Sequence, residues 1–279
     1  MNEYTTHIKS KTGWFDVDFR ELWHYRDLII LFVKRNYSTR YKQTILGPMW
    51  LILNPLITVS LYALVFGNLA GLSTDGSPKF AFYLCSNAIW SYFATCITST
   101  ASTFTDNAAI MGKIYFPRLV MPISAVLTGL LDLFIQVMML AVIIVFYICT
   151  GTHIDIGSQL VFAPLLILQV ALLGLGCGII IAACTTKYRD LAVLVSFGVQ
   201  LWMYASPVVY ATTTIPERFK SIYMCNPMAP IISSWRYSIL GTGEFPIGFW
   251  GISWGVTIAV LFVGIILFSH IEKTFMDTI

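Results

Sequence analysis

Few side chains in this sequence could do chemistry, and one of them, Asp132, lies inside an apolar stretch with no second carboxylate beside it. The four histidines lie in the N-terminal tail, in loops or near the end of an apolar stretch: His7, His24, His153 and His270. The hydrolase signatures GxSxG and HExxH do not occur, and neither does the phosphate-binding GxxxxGKS/T loop. The sequence therefore predicts no catalytic site and no ATP-hydrolysing site. Asp132 is predicted to make a structural contact within a helical bundle, with a functional role as the alternative.

Apolar stretches long enough to cross a membrane must position that carboxylate. The sequence is 57% hydrophobic and 11% charged, whereas a soluble domain is about a quarter charged. A helix of about 20 residues crosses the roughly 30 Å hydrocarbon core. Six apolar stretches have about this length: residues 48–69, 80–101, 119–149, 159–184, 190–211 and 247–269. The sequence predicts an all-α membrane protein with six transmembrane helices.

One membrane domain covering residues 1–279 accounts for the whole length. A cytoplasmic tail and interface helix occupy 1–44, spans one to five lie within 45–211, and the sixth span is 247–269. Residues 212–246 are broken by prolines and glycines. Irregular backbone at membrane depth is tolerated where protein or water surrounds it, so short re-entrant helices on the outer side are predicted there.

Lysine and arginine are unevenly distributed along the chain. Residues 1–44 carry eight of the seventeen, and a six-span arrangement places thirteen on the N-terminal side of the membrane and four on the other. Basic residues favour the cytoplasmic side, so both termini are predicted to be cytoplasmic. The net charge of +3 is too small to indicate nucleic acid as a partner, and no secretory signal peptide is recognisable. The six cysteines form no metal-binding pattern, so no metal site is expected.

Residues 19–37 predict an amphipathic helix on the inner membrane surface. Apolar residues recur there at helical spacing: Phe19, Leu22, Trp23, Ile29, Ile30, Val33 and Tyr37. Such a helix could dock a cytoplasmic partner or simply anchor the chain at the membrane surface. Composition leaves both interpretations open.

A series of motifs resembles one transporter family. The string RYKQTILGPMW at 40–50 leads from the basic helix into the first span, and six further motifs follow in order: KIYFPRLVMP at 113–122, GLLD at 129–132, YRD at 188–190, SPVVY at 206–210, NPMA at 226–229 and WRY at 235–237. Together they resemble the permease subunits of type-2 ABC exporters of bacterial surface polysaccharide. The resemblance covers about residues 20–245, and the order of the motifs makes it specific.

The resemblance implies partners and a substrate. It implies two copies of this chain and two copies of a cytoplasmic ATP-binding cassette subunit, which would hold ATP and Mg²⁺; this chain would carry no cofactor. The expected cargo is a lipid-linked, O-antigen-like polysaccharide, which is moved to the outer side of the bacterial inner membrane. Membrane lipid is a further expected partner, because it would surround the chain. Teichoic acid or capsule polymer is the alternative cargo. A membrane glycosyltransferase or an ion-coupled carrier would be a different class of protein.

The resemblance also implies where the ATPase is contacted. In the family, the link between the second and third spans forms a coupling helix, here residues 106–118. The predicted coupling residues belong to this link and to the interface helix: Lys113, Tyr115, Phe116, Arg118, Trp23, Arg26 and Arg35. An ordinary basic loop is the alternative.

Polar and aromatic residues at helical spacing could line a polysaccharide path between permeases. Hydroxyl and amide groups exchange hydrogen bonds with sugars, and aromatic faces contact sugar C–H surfaces. The predicted path residues come from the first, second and fifth spans: Asn54, Thr58, Tyr62, Phe66, Asn87, Trp90, Ser91, Thr95, Thr98, Gln200 and Tyr204, with Ser102 continuing the stripe of the second. Small polar residues also pack helices together, and Trp50 and Trp90 also fit interfacial belts. Gly174 and Gly178 are predicted to allow close helix packing.

Overall fold

A computed structural model describes residues 19–42, 44–111, 113, 116–154, 158–185 and 191–274. All regular elements in these residues are helical. The helices are α1 Phe19–His24, α2 Arg26–Tyr41, α3 Trp50–Tyr62, α4 Lys79–Ala101, α5 Thr103–Met111, α6 Val120–Cys149, α7 Ala163–Thr185, α8 Leu191–Tyr204, α9 Glu217–Met224, α10 Met228–Leu240 and α11 Ile247–Thr274. Helical turns of other types extend α3 on both sides and precede α7. The predicted all-α class is confirmed.

Five helical segments of the described chain are long and apolar enough to cross a membrane. They are Gly47–Leu69, Lys79–Ala101, Val120–Cys149, Gln159–Thr185 and Ile247–Phe268, close to five of the predicted stretches. The remaining stretch, 190–211, contains α8, which has 14 residues and is about 21 Å long. This is shorter than the roughly 30 Å hydrocarbon core. The count of six spans and the cytoplasmic location of the termini stay predictions.

Helix α4 is the centre of the bundle. It is the least apolar of the five long segments. Even so, 78% of the residues in its most apolar stretch are buried, whereas the corresponding share in the other four segments is 11–50%. Helices α3, α6, α7 and α10 all pack against it. Polar side chains in a membrane segment are costly in lipid, so they face other helices or a wet cavity. The position of α4 therefore determines where its hydroxyl and amide groups can act.

Two glycines let α7 approach α4 closely, as predicted. A Cβ atom at Gly174 would lie 2.5 Å from the Cβ of Cys96, and one at Gly178 would lie 2.5 Å from the Cβ of Thr100. Both distances are shorter than any real carbon–carbon contact of this kind. The GxxxG spacing thus creates the packing surface itself.

The predicted helix over 19–37 is two helices, α1 and α2, separated at Tyr25. The residues of the predicted apolar face are partly exposed and partly buried within the chain. Trp23 is 70% exposed and Ile30 is exposed, whereas Ile29 and Phe32 are buried. The physical reason is that Ile29 and Phe32, three residues apart, form the stripe that packs onto α5 to α7 and α11. Exposed apolar residues of α2 remain for lipid or a partner.

The predicted coupling helix over 106–118 is also corrected. Helix α5 begins at Thr103 and ends at Met111, and Phe116 and Arg118 lie outside any helix. Gly112 and Pro117 stand in the predicted range, and both residue types end helices.

The segment 212–246 contains the helices α9 and α10. Helix α10 is buried against α4, α7 and α11. It ends at Leu240 and is followed by Gly241, whose φ of 67° gives the left-handed cap that glycine favours. Their depth in the membrane stays a prediction.

Arg236 of α10 is one of the four basic residues that the six-span arrangement places on the outer side, and it is only 1% exposed. Its Nη1 donates to the carbonyl of Pro207 at 3.2 Å, and its guanidinium lies 4.3 Å from the ring centre of Phe82. This cation joins α10 to α4 and to the segment after α8.

Gly178→Ala should lower the thermal unfolding temperature of the purified chain. The added methyl group must displace α7 from α4, and overpacking of this kind costs about 1–3 kcal/mol. The control is Gly198→Ala in α8, where a Cβ meets nothing within 4 Å. Equal unfolding temperatures for the two variants would contradict the packing account.

Candidate functional site

Two polar cavities meet at Arg40, which lines both of them. The cavity named here the α3 cavity has a volume of about 420 Å³ and lies between α3, α4 and α6. The cavity named the α2 cavity has a volume of about 530 Å³ and lies between α2, α4, α5 and α6. Both volumes are large enough for a sugar unit or a small headgroup.

Four of the predicted path residues and the membrane carboxylate Asp132 line the α3 cavity. Its lining includes Asn54 and Thr58 from α3, Asn87 and Ser91 from α4, and Asp132 from α6, together with Trp50 and Gln136. Helical spacing correctly placed each pair from α3 and α4 on one face. Trp50 is partly exposed and borders this cavity.

Gln136 was missed by the sequence reasoning. It lies four residues after Asp132, so the two share one face of α6, and this spacing is the signal that could have identified it. Its amide nitrogen donates to the hydroxyl of Ser91 at 3.1 Å, and Ser91 donates to the carbonyl of Ala88 at 3.0 Å. Ser91 therefore connects α4 to α6 as well as facing the cavity.

Asp132 forms an ion pair with Arg40, through Nη1 of the guanidinium and Oδ2 of the carboxylate. The Asp132 side chain is 14% exposed and that of Arg40 is 44% exposed. The other carboxylate oxygen, Oδ1, is buried and accepts no hydrogen bond from the described residues. The partner of this membrane carboxylate thus comes from the end of the interface helix and not from another span.

The polar stripe of α4 is divided between the two cavities. Asn87 and Ser91 line the α3 cavity, whereas Thr95 and Ser102 line the α2 cavity together with Ser99, which the predicted stripe omitted. Thr98 lines neither cavity.

Thr98 instead donates its hydroxyl hydrogen to the carbonyl of Ala94 at 2.9 Å, on its own helix. Ser99, the next residue along α4, is rotated by about 100° around the helix axis relative to Thr98. This rotation places Ser99 on the wall of the α2 cavity.

The predicted aromatic path residues of the first span, Tyr62 and Phe66, lie elsewhere. Tyr62 packs against Phe66 at 5.8 Å and against Tyr83 at 6.4 Å between ring centres, and its hydroxyl lies 3.4 Å from the sulfur of Met203. Neither Tyr62 nor Phe66 lines the two cavities. These rings join α3 to α4 and α8.

Trp90 is only 4% exposed, so it does not form part of an interfacial belt on the surface of this chain. Its ring packs against Phe93 at 5.5 Å and Trp202 at 6.5 Å. Gln200 and Tyr204 are exposed on α8, away from both cavities.

The predicted coupling residues fall into an exposed and a buried group. Trp23 is exposed, with the guanidinium of Arg26 5.8 Å from its ring centre, and Lys113 is exposed. Arg118 is half-buried, and Tyr115 lies outside the described residues. Phe116 is buried, with its ring centre 5.8 Å from that of Phe32.

Arg35 connects α2 to α5. It donates to Oδ1 of Asn107 at 2.6 Å and to Oδ1 of Asn36 at 3.0 Å, and its guanidinium lies 4.7 Å from the ring centre of Phe32. Burial lowers the pKa of this guanidinium. Arg35 and Phe116 therefore act within the chain, holding the interface helix against the link that follows α4.

Known proteins resemble this chain over most of its length. The family described as ABC-2 type transporter matches residues 27–240. The O-antigen export system permease protein RfbA of Klebsiella pneumoniae is 29% identical over 90% of this chain and 94% of its own length. The RfbA protein of Myxococcus xanthus is 30% identical over 78% of this chain and 82% of its own. The inner membrane transport permease YadH of Escherichia coli is 24% identical over 69% and 77%. The matched region contains both cavities.

Phe116→Ala should destabilise the chain in the absence of any partner, by about 3 kcal/mol, because it removes a buried ring from the contact with α2. Thermal unfolding of the purified chain measures this. The control is Trp23→Ala, which removes an exposed ring and should leave the unfolding temperature unchanged. A stable Phe116→Ala variant would mean that the ring does not hold α2 in place.

Proposed function

Because this chain belongs to the ABC-2 type transporter family, we propose that it is the membrane-spanning subunit of an ATP-driven exporter of lipid-linked polysaccharide. The family match and the two RfbA relatives confirm the resemblance seen in the sequence motifs. The finer proposal, an O-antigen-like cargo moved to the outer side of the bacterial inner membrane, rests on the printed function of those relatives. Teichoic acid and capsule polymer remain alternative cargoes of the same kind.

The observation that carries the proposal is the α3 cavity. Asn54, Thr58 and Asn87 present amide and hydroxyl groups to one space between membrane helices. Such groups both donate and accept hydrogen bonds, as sugar hydroxyls do. A path for an apolar cargo would not need them, because polar groups are costly in a membrane segment.

Conformational work has to reach this cavity from another subunit, because the sequence has no phosphate-binding loop. The family implies an ATP-binding cassette partner. We infer that exposed Trp23, Arg26 and Lys113 contact it, since aromatic and Arg side chains contribute most at such interfaces. Phe116 and Arg35 would then transmit the contact, because both join the interface helix to the rest of the chain.

A complete path requires a second copy of the chain in this proposal. The segment Gly47–Leu69, which lines the α3 cavity, has only 11% of its most apolar stretch buried within one copy. Exposed apolar side chains on α3 and α8, among them Ile57, Leu61, Leu194 and Phe197, favour contact with lipid or with that copy. The proposed complex contains two permeases and two ATPase subunits, with the termini cytoplasmic.

Asn54→Leu combined with Thr58→Val should strongly reduce export of polysaccharide while expression stays normal. The double variant replaces two hydrogen-bonding groups of the cavity by apolar ones, which a membrane segment tolerates. Export is measured as cell-surface glycan, with lipid-linked glycan retained inside the cell measured by mass spectrometry.

The control variant is Ser60→Leu combined with Thr98→Val, which removes two hydroxyls that line neither cavity. It should export normally. Normal export by both variants would show that the α3 cavity is not the path. Export that stops with an uncoupler but survives ATP depletion would instead identify an ion-coupled carrier.

A further inference from the structure

We propose that the α2 cavity binds the phosphate group of a membrane amphiphile, with Arg35, Arg40 and the hydroxyls of Thr95, Ser99 and Ser102 as its donors. The ligand is either the headgroup of an anionic phospholipid or the phosphate linkage of a lipid-linked glycan. The second source rests on the proposed function. The cavity is separate from the α3 cavity that was assigned to sugar.

Three hydroxyls at the C-terminal end of α4, the last on the residue that follows the helix, have hydrogens to donate. Thr95, Ser99 and Ser102 recur at four and three residues and line the α2 cavity. Within the described residues none of these hydroxyls makes a hydrogen bond, and none is sealed from the cavity. Hydroxyls on the α6 wall differ, since Ser124 and Thr128 donate to carbonyls of their own helix at 2.7 Å. The α4 wall therefore offers donors that water or a ligand must satisfy.

Arg35 adds a cation that lacks an acidic partner among the described residues. Its partners are amide oxygens of Asn36 and Asn107 and the ring of Phe32. These contacts fix the direction of the guanidinium without neutralising it. A half-buried cation without a carboxylate gains from an anion that supplies the missing charge.

Arg40 is the second cation, and Asp132 pairs with it from the α3 side. The single carboxylate lining the α2 cavity is Asp106, which is exposed and lies further than 4 Å from Arg35 within the described residues. Asp106 therefore does not form an ion pair with Arg35, and the donors on α2 and α4 still face the cavity.

The donor set matches phosphate better than sugar. A phosphate group only accepts hydrogen bonds, and its oxygens fit the fork of a guanidinium. Two guanidinium groups, which only donate, line the α2 cavity together with a single carboxylate, and this positive balance favours an anion over an uncharged sugar. The volume of about 530 Å³ accommodates a diphosphate or a phospholipid headgroup. Because α2 carries exposed apolar residues such as Leu31, a ligand anchored in the bilayer can reach it.

The test uses the full chain in dodecyl maltoside micelles, whose detergent carries no phosphate, with three probes. Farnesyl diphosphate represents a lipid-linked diphosphate, phosphatidylglycerol represents anionic phospholipid, and farnesol is the uncharged control. Binding is measured as a dissociation constant, with the unfolding temperature of the unliganded chain recorded for every variant. We expect at least one phosphate-bearing probe to bind and farnesol not to bind specifically.

Arg35→Gln should weaken that binding about tenfold or more, because a charge-assisted hydrogen bond is lost. The matched control is Lys34→Gln, which removes the same charge from an exposed neighbour on α2 and should change binding less than twofold. Ser99→Ala with Ser102→Ala leaves all charges in place and should weaken binding about threefold or more. This double variant keeps the test valid if Arg35→Gln unfolds.

Binding of farnesyl diphosphate alone would identify the linkage of a lipid-linked glycan, and binding of phosphatidylglycerol would identify phospholipid. Either supports the site. Equal binding to all variants, or no binding of either phosphate-bearing probe, overturns it. Binding that persists in a chain that exports no polysaccharide would refute the proposed function and leave this site standing.

Discussion

The ion pair between Arg40 and Asp132 is the constraint on which the arrangement of this chain depends. A carboxylate inside a membrane helix is costly unless a cation pairs with it, and the residue that supplies the cation is 92 positions away, at the end of the interface helix. The pair therefore fixes the end of α2 against the middle of α6. The same arginine lines both cavities, so the contact that secures the interface helix also forms the wall between them.

Helix α4 supplies polar side chains to both cavities, on either side of this wall. Its buried position turns a stripe of small polar residues towards α3 at one end and towards α2 at the other. At the α2 end, Arg35 and the buried ring of Phe116 hold the interface helix to the link after α4. In the proposed exporter, a push on the exposed residues of α1 and α2 reaches the ion pair through α2 itself. The α3 cavity would receive sugar, the α2 cavity would receive phosphate, and Arg40 would lie between them.

Five membrane segments could be predicted to within a few residues, because each apolar run is long and ends at polar or turn-forming residues. The length of α8 could not, since the apolar run 190–211 continues beyond Tyr204, where the helix ends. The coupling helix was placed too late, across Gly112 and Pro117. Within the site, helical spacing correctly grouped Asn54 with Thr58 and Asn87 with Ser91. It gave Thr98 in place of Ser99, because these neighbours on α4 differ only in the direction they face. It could not identify Arg40 as the partner of Asp132, since that contact depends on how α2 folds back onto α6.

The most direct measurement is a double-mutant cycle on this pair: Arg40→Gln, Asp132→Asn and the combined variant, each compared by thermal unfolding and by export. Asp132 is mostly buried and Arg40 is partly exposed, so removing either partner alone should cost about 1–3 kcal/mol, between the values typical of exposed and buried pairs. The combined variant removes both charges of the pair and should be more stable than the sum of the single changes predicts, by about 1 kcal/mol or more, with export lowered in all three. Strictly additive effects with normal export would contradict the account, because Arg40 and Asp132 would then contribute independently.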